Sequence, residues 1–414
     1  MRSIKTVFLE FWNEVDRWLW IIGLFLSLAG VALIYSSTHL SSNPAEQDLY
    51  LKQLFWVALG LLAFWLVYIL PFRFFEAFAY LFYAIAVLAL IGVFFFGSTR
   101  LGATRWYALG PLNLQPSELA KIATVFALAR FLTYSSKYEA NHAKRLLPAI
   151  LLALVPMLLI LRQPDLGTSL VFFAIFMAML FWSSIPTVYL FFIISPILSL
   201  LAALHWISWG LFFVLLLLIL YLVRPGGLFA TAVTTVNLLA GMVMPLVWNR
   251  LHDYQKLRIL IFLDPNRDPR GAGYQIIQSK IAVGSGGLLG KGYMSGSQTK
   301  LAFLPEQHTD FIFSVVGEEF GFLGVAVLIA LFGYLIYRGI DYAHKARNTF
   351  ASFTALGITA VLVFQVLVNV GMTIGLMPVT GLPLPLFSYG GTSMITSWIM
   401  LGILAGIGRR WQEY

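Results

Sequence analysis

Apolar runs of roughly 17–22 residues recur along this chain, each long enough to cross about 30 Å of hydrocarbon as a helix, and only short polar stretches separate most of them. That pattern leaves little choice of fold. Charged residues make up 11% of the 414 positions, where a soluble protein carries about a quarter. The chain reads as an all-α, polytopic integral membrane protein.

Twelve spans are expected, near 18–37, 54–70, 78–96, 118–132, 147–162, 165–182, 187–204, 207–223, 228–249, 310–337, 350–372 and 390–408. Basic residues between them orient the bundle by the positive-inside bias. Arg17, Arg73, the KYEANHAKRLLP loop, Arg224, Arg338, Lys345, Arg347, Arg409 and Arg410 all fall on one side. Both termini are then cytoplasmic, and a large loop over 250–309 is extracytoplasmic. The lead-in MRSIKTVFLEFWNEVDRW is amphipathic and is expected to lie along the cytoplasmic surface. The organisation is a single transmembrane domain, with spans 18–249, the loop, then spans 310–408. The net charge of +9 is scattered between spans rather than clustered, which argues against nucleic acid as a partner. With no cysteine, neither a disulfide nor a thiolate site is possible.

The polar residues concentrate between Leu263 and Glu319, and chemistry is sought there first. Asp264-Pro265 and Asp268-Pro269 each hold a carboxylate on a stiffened turn. Partial desolvation at a membrane boundary would make such a group a better proton acceptor, although Asp-Pro is also an ordinary turn former. GSGGLLGKG, over 284–292, invites a phosphate-loop reading. It fails because Ser285 stands at the first glycine position and Gly292 follows the lysine in place of Ser or Thr. A flexible turn or re-entrant segment is expected instead, with Lys280 or Lys291 open to an anionic ligand. Glu306, His308 and Asp310 could coordinate a divalent ion, or Thr309 or Asp310 could cap the helix that follows. Glu318 and Glu319 lie inside a span and need a cavity or cations. Lys121, three residues after Glu118, and Arg105 or Arg130 are the available ones, so Glu118 and Lys121 form either a structural ion pair or a substrate contact. Asp165 is placed to cap the sixth span, and Gln365 and Asn369 share a helix face as interhelical glue.

Several strings, in order, carry a resemblance that covers most of the chain. TRW…LQPSELAK, RQPDLGT, GAGYQIIQSKIAVGSGGLLGKG, FLPEQHTDFIFSVVGEE and NVGMTIGLMPVTGLPLPLFSYGGTS together resemble the SEDS family of bacterial cell-wall polymerases. HDYQ…LDP…QSKIA and the Gly-Lys-Gly turn look more like its elongation branch, RodA, than its division branch, FtsW. The resemblance implies a peptidoglycan glycosyltransferase that polymerises lipid II into glycan strands on the outer face of the bacterial cytoplasmic (inner) membrane, during elongation and shape maintenance. It places the catalytic aspartate at Asp264. It also marks Arg105, Trp106, Glu118, Lys121, Gln278, Ser279, Lys280, Glu306, His308, Thr309, Asp310 and Ser388 as substrate-binding. A class B penicillin-binding protein (a transpeptidase) and elongation-complex membrane proteins are the implied partners, along with membrane lipids. No cofactor is required by the motifs; a divalent cation, Mg or Mn, is the one to test. The family has ten spans, so residues 187–223 read as an extra hairpin.

The mechanism expected is inverting transfer without a nucleotide, with Asp264 as general base and Arg105, Lys121 and Lys280 neutralising the departing pyrophosphate. Two rivals stand beside it: a flippase or transporter of lipid II, and a non-catalytic scaffold of the synthesis complex. The transporter reading is weakened by polar residues that collect on one side, where alternating access needs a midplane site.

Overall fold

The computed structural model describes residues 16–39, 44–100, 103–109, 112–138, 142–183, 185–250, 261, 264, 268–269, 273–300 and 306–409. The amphipathic lead-in before Asp16 and most of the 250–272 stretch lie outside these residues. Thirteen helices of twelve residues or more are described. They are α1 (Arg17–Thr38), α2 (Leu49–Ile69), α3 (Phe72–Phe96), α4 (Pro116–Tyr138), α5 (His142–Leu161), α6 (Leu166–Trp182), α7 (Thr187–Ala202), α8 (Trp206–Val223), α9 (Gly227–Arg250), α10 (Tyr274–Ser285), α11 (Ile312–Lys345), α12 (Thr349–Thr373) and α13 (Gly391–Arg409). All but α10 correspond one for one to the twelve expected spans. Eight are long and apolar enough to cross a membrane, and three shorter apolar helices accompany them. The remaining one, α4, carries Glu118, Lys121 and Arg130. It is tolerated because its neighbours α3, α5, α6, α12 and α13 surround it, and every side chain from Ala120 to Ala129 is buried.

Local chemistry sets several helix starts. The Asp16 carboxylate accepts from the amides of Trp18 and Leu19, and the Asn348 side chain accepts from Phe350 and Ala351. Asp165 caps α6 as expected, accepting from the Thr168 amide at 3.1 Å and its hydroxyl at 3.0 Å. Asp310 does not open α11. That helix begins at Ile312 behind Phe311, with no side-chain cap, so neither Thr309 nor Asp310 is spent on capping.

The polar connection from α3 to α4 is not simply a loop. Residues 98–100, 103–109 and 112–114 form an antiparallel three-stranded meander, β1 to β3. The β-branched and aromatic run Thr104-Arg105-Trp106-Tyr107 suits a strand. The Tyr107 hydroxyl fixes the meander to α3 by donating to the Ala89 carbonyl at 2.8 Å.

The glycine-rich turn is not flexible filler either. Helix α11 breaks at Gly321 (φ 62°), and residues 286–292 fill the break. The amides of Lys291 and Gly292 donate to the carbonyls of Glu318 and Glu319 at 3.0 and 2.9 Å, while Phe322 and Leu323 donate to Gly287 and Leu288 at 2.9 and 3.1 Å. A Cβ at Gly290 or Gly321 would overlap the opposing backbone. Backbone left unpaired inside a bilayer costs several kcal/mol, so the break and the turn require each other.

The 187–223 hairpin is present as α7 and α8, packed with α9 through a small polar joint. Asn237 donates to the Ser195 hydroxyl at 2.8 Å, Ser199 donates to the Asn237 carbonyl at 2.9 Å, and Trp209 donates to Ser199 at 3.0 Å. Helix α8 buries only Leu216 and Leu220.

Two predictions follow from this architecture. On α1, Gly30 faces the Phe387 carbonyl so closely that a Cβ would overlap it. Gly30→Val should lower the thermal midpoint by the equivalent of about 1–3 kcal/mol, the usual cost of overpacking, and an unchanged midpoint would deny the contact. Ser208, exposed at the start of α8, tests the orientation. A cysteine placed there should react with an impermeant thiol reagent on intact spheroplasts, and labelling only after lysis would reverse the topology.

Candidate active-site cavity

At one end of the bundle the first turns of α2 and α13, the strands β2 and β3 and the turn over 306–310 enclose a cavity of about 870 Å³. Its walls include Lys52 and Trp56 from α2, Arg105, Trp106 and Asn113 from the sheet, Gln115 just after it, Glu306, His308, Thr309 and Asp310 from the turn, and Tyr389 to Ser393. The segment 388–392 holds these parts together. Gln53 donates to the Ser388 carbonyl at 3.1 Å and accepts from the Gly390 amide at 3.2 Å. The Tyr389 amide donates to the His308 carbonyl at 2.9 Å. Thr392 donates to the Asn113 carbonyl at 3.0 Å and accepts from the Gln115 amide at 3.2 Å. Gly391 is bare because the Trp56 ring lies where a Cβ would be.

Charge in the cavity is unevenly committed. Arg105 directs Nε to the Gln163 carbonyl at 2.9 Å and NH2 to the Pro164 carbonyl, and NH1 is 3.4 Å from the Asp165 carboxylate. Its guanidinium therefore ties β2 to the turn before α6 and is only partly available to a ligand. Lys52 is exposed, and among the described residues no carboxylate lies within ion-pair distance of it. Burial, then the neighbouring carboxylates of Glu306 and Asp165, push the Asp310 carboxyl up to about 7, outweighing the Thr309 hydrogen bond and Arg105. Burial holds the His308 imidazole below its ordinary value against the pull of Glu306, so it is neutral at pH 7.

The residues expected at the site separate into three groups. Arg105, Trp106, Glu306, His308, Thr309 and Asp310 do come together in the cavity. Glu118, Lys121, Ser279 and Ser388 are instead buried framework. The Lys121 ammonium lies 2.8 Å from the Glu118 carboxylate with both side chains enclosed. Ser279 links α10 to α11 and α12, at 2.6 Å from the Ser314 hydroxyl and 2.7 Å from the Thr373 carbonyl. The Ser388 hydroxyl accepts from the Leu384 amide at 2.8 Å. Asp264, Gln278 and Lys280 form the third group and are not among the described cavity-lining residues. Asp264 is exposed. The Lys280 stem runs past Gly375, 3.1 Å from where a Cβ would stand.

Two expectations need correcting. Glu318 takes its cation from Lys291 at 2.8 Å, not from Lys121, Arg105 or Arg130, because the glycine turn delivers that lysine to the helix break. Glu319 accepts from the Ser36 hydroxyl, and Arg130 donates to the carbonyls of Glu76 and Ala77 at 2.6 Å each. Nor do Glu306, His308 and Asp310 make a metal centre: among the described residues no group of three or more His, Asp or Glu side chains converges. This donor set does not fit a resident divalent ion.

Sequence reasoning missed Lys52, Trp56, Tyr389 and Thr392. Lys52 carried no usable signal, because the second span is expected from residue 54 and only the observed start of α2 at Leu49 brings the lysine into the helix.

Residues 16–209 and 208–413 match the FtsW/RodA/SpoVE family, described as "Cell cycle protein". The chain belongs to this family. The junction of the two matched segments falls in the first turn of α8, inside the 187–223 hairpin. This FtsW/RodA/SpoVE member is 37% identical over 400 residues to the peptidoglycan glycosyltransferase MrdB of Escherichia coli K12, covering 96% of this chain and 95% of that protein. Among solved structures it is similar to one described under structural coordination of polymerization and crosslinking by a peptidoglycan synthase complex. That match has TM-score 0.70 and 35% identity, over 95% of this chain and 98% of the other. It is also similar to the rod shape determining protein RodA of Thermus thermophilus, with TM-score 0.62 and 27% identity over 96% and 98% of the two chains.

The enclosed Glu118–Lys121 pair makes a further prediction. Lys121→Met strands a buried carboxylate and should cost about 3–5 kcal/mol, whereas a Glu118→Gln, Lys121→Met double variant should recover most of the thermal midpoint. Polymerisation that stays absent in a re-stabilised double variant would give Lys121 a chemical role beyond framework.

Proposed function

We propose that this chain is a peptidoglycan glycosyltransferase that polymerises lipid II into glycan strands during elongation, from the outer face of the bacterial inner membrane with both termini cytoplasmic. Family membership supports the activity, as do the names of the relatives. The observation that carries the choice of site is the cavity itself, with its lysine, carboxyls, indoles and amides. Its walls come from the starts of α2 and α13, the strands and the 306–310 turn, all at a single end of the bundle, while at the opposite end Asp16, Arg338 and Tyr342 are joined at 2.5 and 2.6 Å. A transporter of lipid II would need its polar site near the midplane, reachable from both faces.

In this reading Asp264, exposed on the loop leading to α10, takes the proton of the acceptor hydroxyl as that oxygen attacks the anomeric carbon of the lipid-linked donor. Lys52 is the cation best placed to neutralise charge on the departing pyrophosphate, with Arg105 as a partly committed second. Trp56, Trp106 and Tyr389 offer flat apolar faces to sugar rings, and the polyprenyl tails lie along the lipid-facing helices. A class B penicillin-binding protein is the partner that would cross-link the product. The crosslinking named for the solved synthase complex supports that pairing.

Asp264→Asn keeps the side chain's shape and removes its ability to accept a proton. With purified protein, lipid II and the transpeptidase partner, it should lose roughly 10²–10⁴-fold in glycan synthesis, seen on gels of the products. Asp268→Asn, four residues along, is the control and should lose far less. Near-normal strands from Asp264→Asn would refute the assignment of the base. Failure of the wild-type protein to make strands under any condition would favour the transporter or the scaffold.

A further inference from the structure

We propose that Asp310 acts as a neutral carboxylic acid, donating its O–H as a hydrogen bond to the anionic diphosphate of the lipid-linked substrate; this rests on the polymerase reading of the cavity.

The position is fixed by contacts that have nothing to do with the carboxyl. The Asp310 carbonyl accepts from Nδ2 of the fully buried Asn369 at 3.0 Å, and the same nitrogen donates to the Leu382 carbonyl at 2.8 Å. Asn369 thus locks the 306–310 turn to the segment that runs to α13. Gly381 stands in front of the carboxyl; a Cβ there would lie 3.3 Å from Oδ2. With its main chain held and no helix cap to make, the side chain is left on the cavity wall.

The charges around it disfavour a third anion. Glu306 from the same turn and Asp165 from the start of α6 both act on Asp310, opposed among the described residues by Arg105 of β2. That guanidinium is already shared among the Gln163 and Pro164 carbonyls and the Asp165 carboxylate. His308 is neutral, and Lys52 reaches the same cavity from α2. These surroundings raise the Asp310 carboxyl to about 7 and favour its protonated form. A diphosphate entering the cavity adds negative charge and holds that proton more firmly, since a like charge disfavours ionisation. A protonated carboxyl is a donor where a carboxylate accepts only, and its bond to a phosphate oxygen is of the stronger, charge-assisted kind. No bond is made or broken at Asp310. At a pH where the empty site is ionised, binding takes one proton from solvent.

The experiment compares wild type, Asp310→Asn, Asp310→Ala and Glu306→Gln from pH 5.5 to 9 with lipid II and the transpeptidase partner. Initial rate and lipid II affinity are read separately, and folding is verified by thermal unfolding. Wild type should bind and turn over progressively less well above its midpoint, approaching about tenfold per pH unit. Asn, a neutral donor of the same shape, should keep within about threefold of the acidic-plateau rate and lose the alkaline limb in both readouts. Ala should fall at least tenfold on the plateau. Removing the Glu306 charge should move the limb to lower pH, an arm that serves even if the Asn protein does not fold. A folded Asp310→Asn protein as defective as Ala, or a wild-type profile with no alkaline limb that Glu306→Gln shifts, would overturn the proposal. Should wild type make no glycan, the polymerase reading fails, and the binding arm still decides the protonation of Asp310.

Discussion

In hydrocarbon there is no water to take up an unpaired amide, and much of this molecule follows from that rule. The break in α11 exposes carbonyls at Glu318 and Glu319 and amides at Phe322 and Leu323, and the turn over 286–292 returns a bond to each. The turn can approach so closely only because Gly290 and Gly321 carry no side chain. Its insertion brings Lys291 to the buried Glu318 carboxylate at 2.8 Å, so one backbone requirement also settles an intramembrane charge. Helix α10, next to the turn, is then held to α11 and α12 through Ser279.

A second set of constraints shapes the cavity. The segment from Leu384 to Thr392 runs in among α1, α2, β3 and the 306–310 turn: the Ser388 carbonyl and Gly390 amide pair with Gln53, the Tyr389 amide with the His308 carbonyl, and the Thr392 hydroxyl with Asn113 and Gln115. Leu386 sits there at φ 63° and Glu306 at φ 52°, conformations that cost a bulky residue on the order of 1–3 kcal/mol each. Such strain persists only where surrounding contacts over-determine it. Here those contacts come from Gln53, Asn113, Gln115 and His308, which fix the distance between the lysine of α2 and the carboxyls of the turn. A polymerase site of the kind proposed, which must align two large substrates, gains from walls set in this way, because misplacement of about an ångström can cost a hundredfold in rate.

The spans were legible because twenty apolar residues in a row have few alternatives, and the boundaries differ from expectation by little at α6, α7, α8 and α12. Asp165 was legible as a cap because capping is local. The β-meander was not, since its pairing depends on Tyr107 finding α3. Nor was the role of the glycine turn, whose partner lies about thirty residues away at Glu318. Residues that one short string supplies, as from Glu306 to Asp310, come together in the cavity. The sequence could not tell how the fold would choose between a polar residue's uses. Glu118, Lys121, Ser279 and Ser388 are polar and central, yet their hydrogen bonds are spent on the frame, and no spacing rule distinguishes that from binding. Lys52 was overlooked because an external lysine in a mixed-charge loop looks ordinary until α2 carries it to the cavity rim.

The balance of charge in the cavity limits how any substrate can be held there. Asp165 and Arg105 largely cancel, which leaves Lys52 against Glu306 and Asp310. With both of those carboxyls ionised the walls would carry net negative charge and repel a diphosphate, and the repulsion would grow as water is excluded, because effective dielectric falls with burial. Three remedies are open: a cation that travels with the diphosphate, a proton on a carboxyl, or movement of Arg105 off Asp165. Among the described residues the first finds no cluster of three or more protein ligands. The third would break three contacts that hold β2 to the α5–α6 turn, and with them part of the cavity wall. A proton on a carboxyl needs no rearrangement, and Asp310, more deeply enclosed than the exposed Glu306 and flanked by two acids, is where the proton resides at least cost.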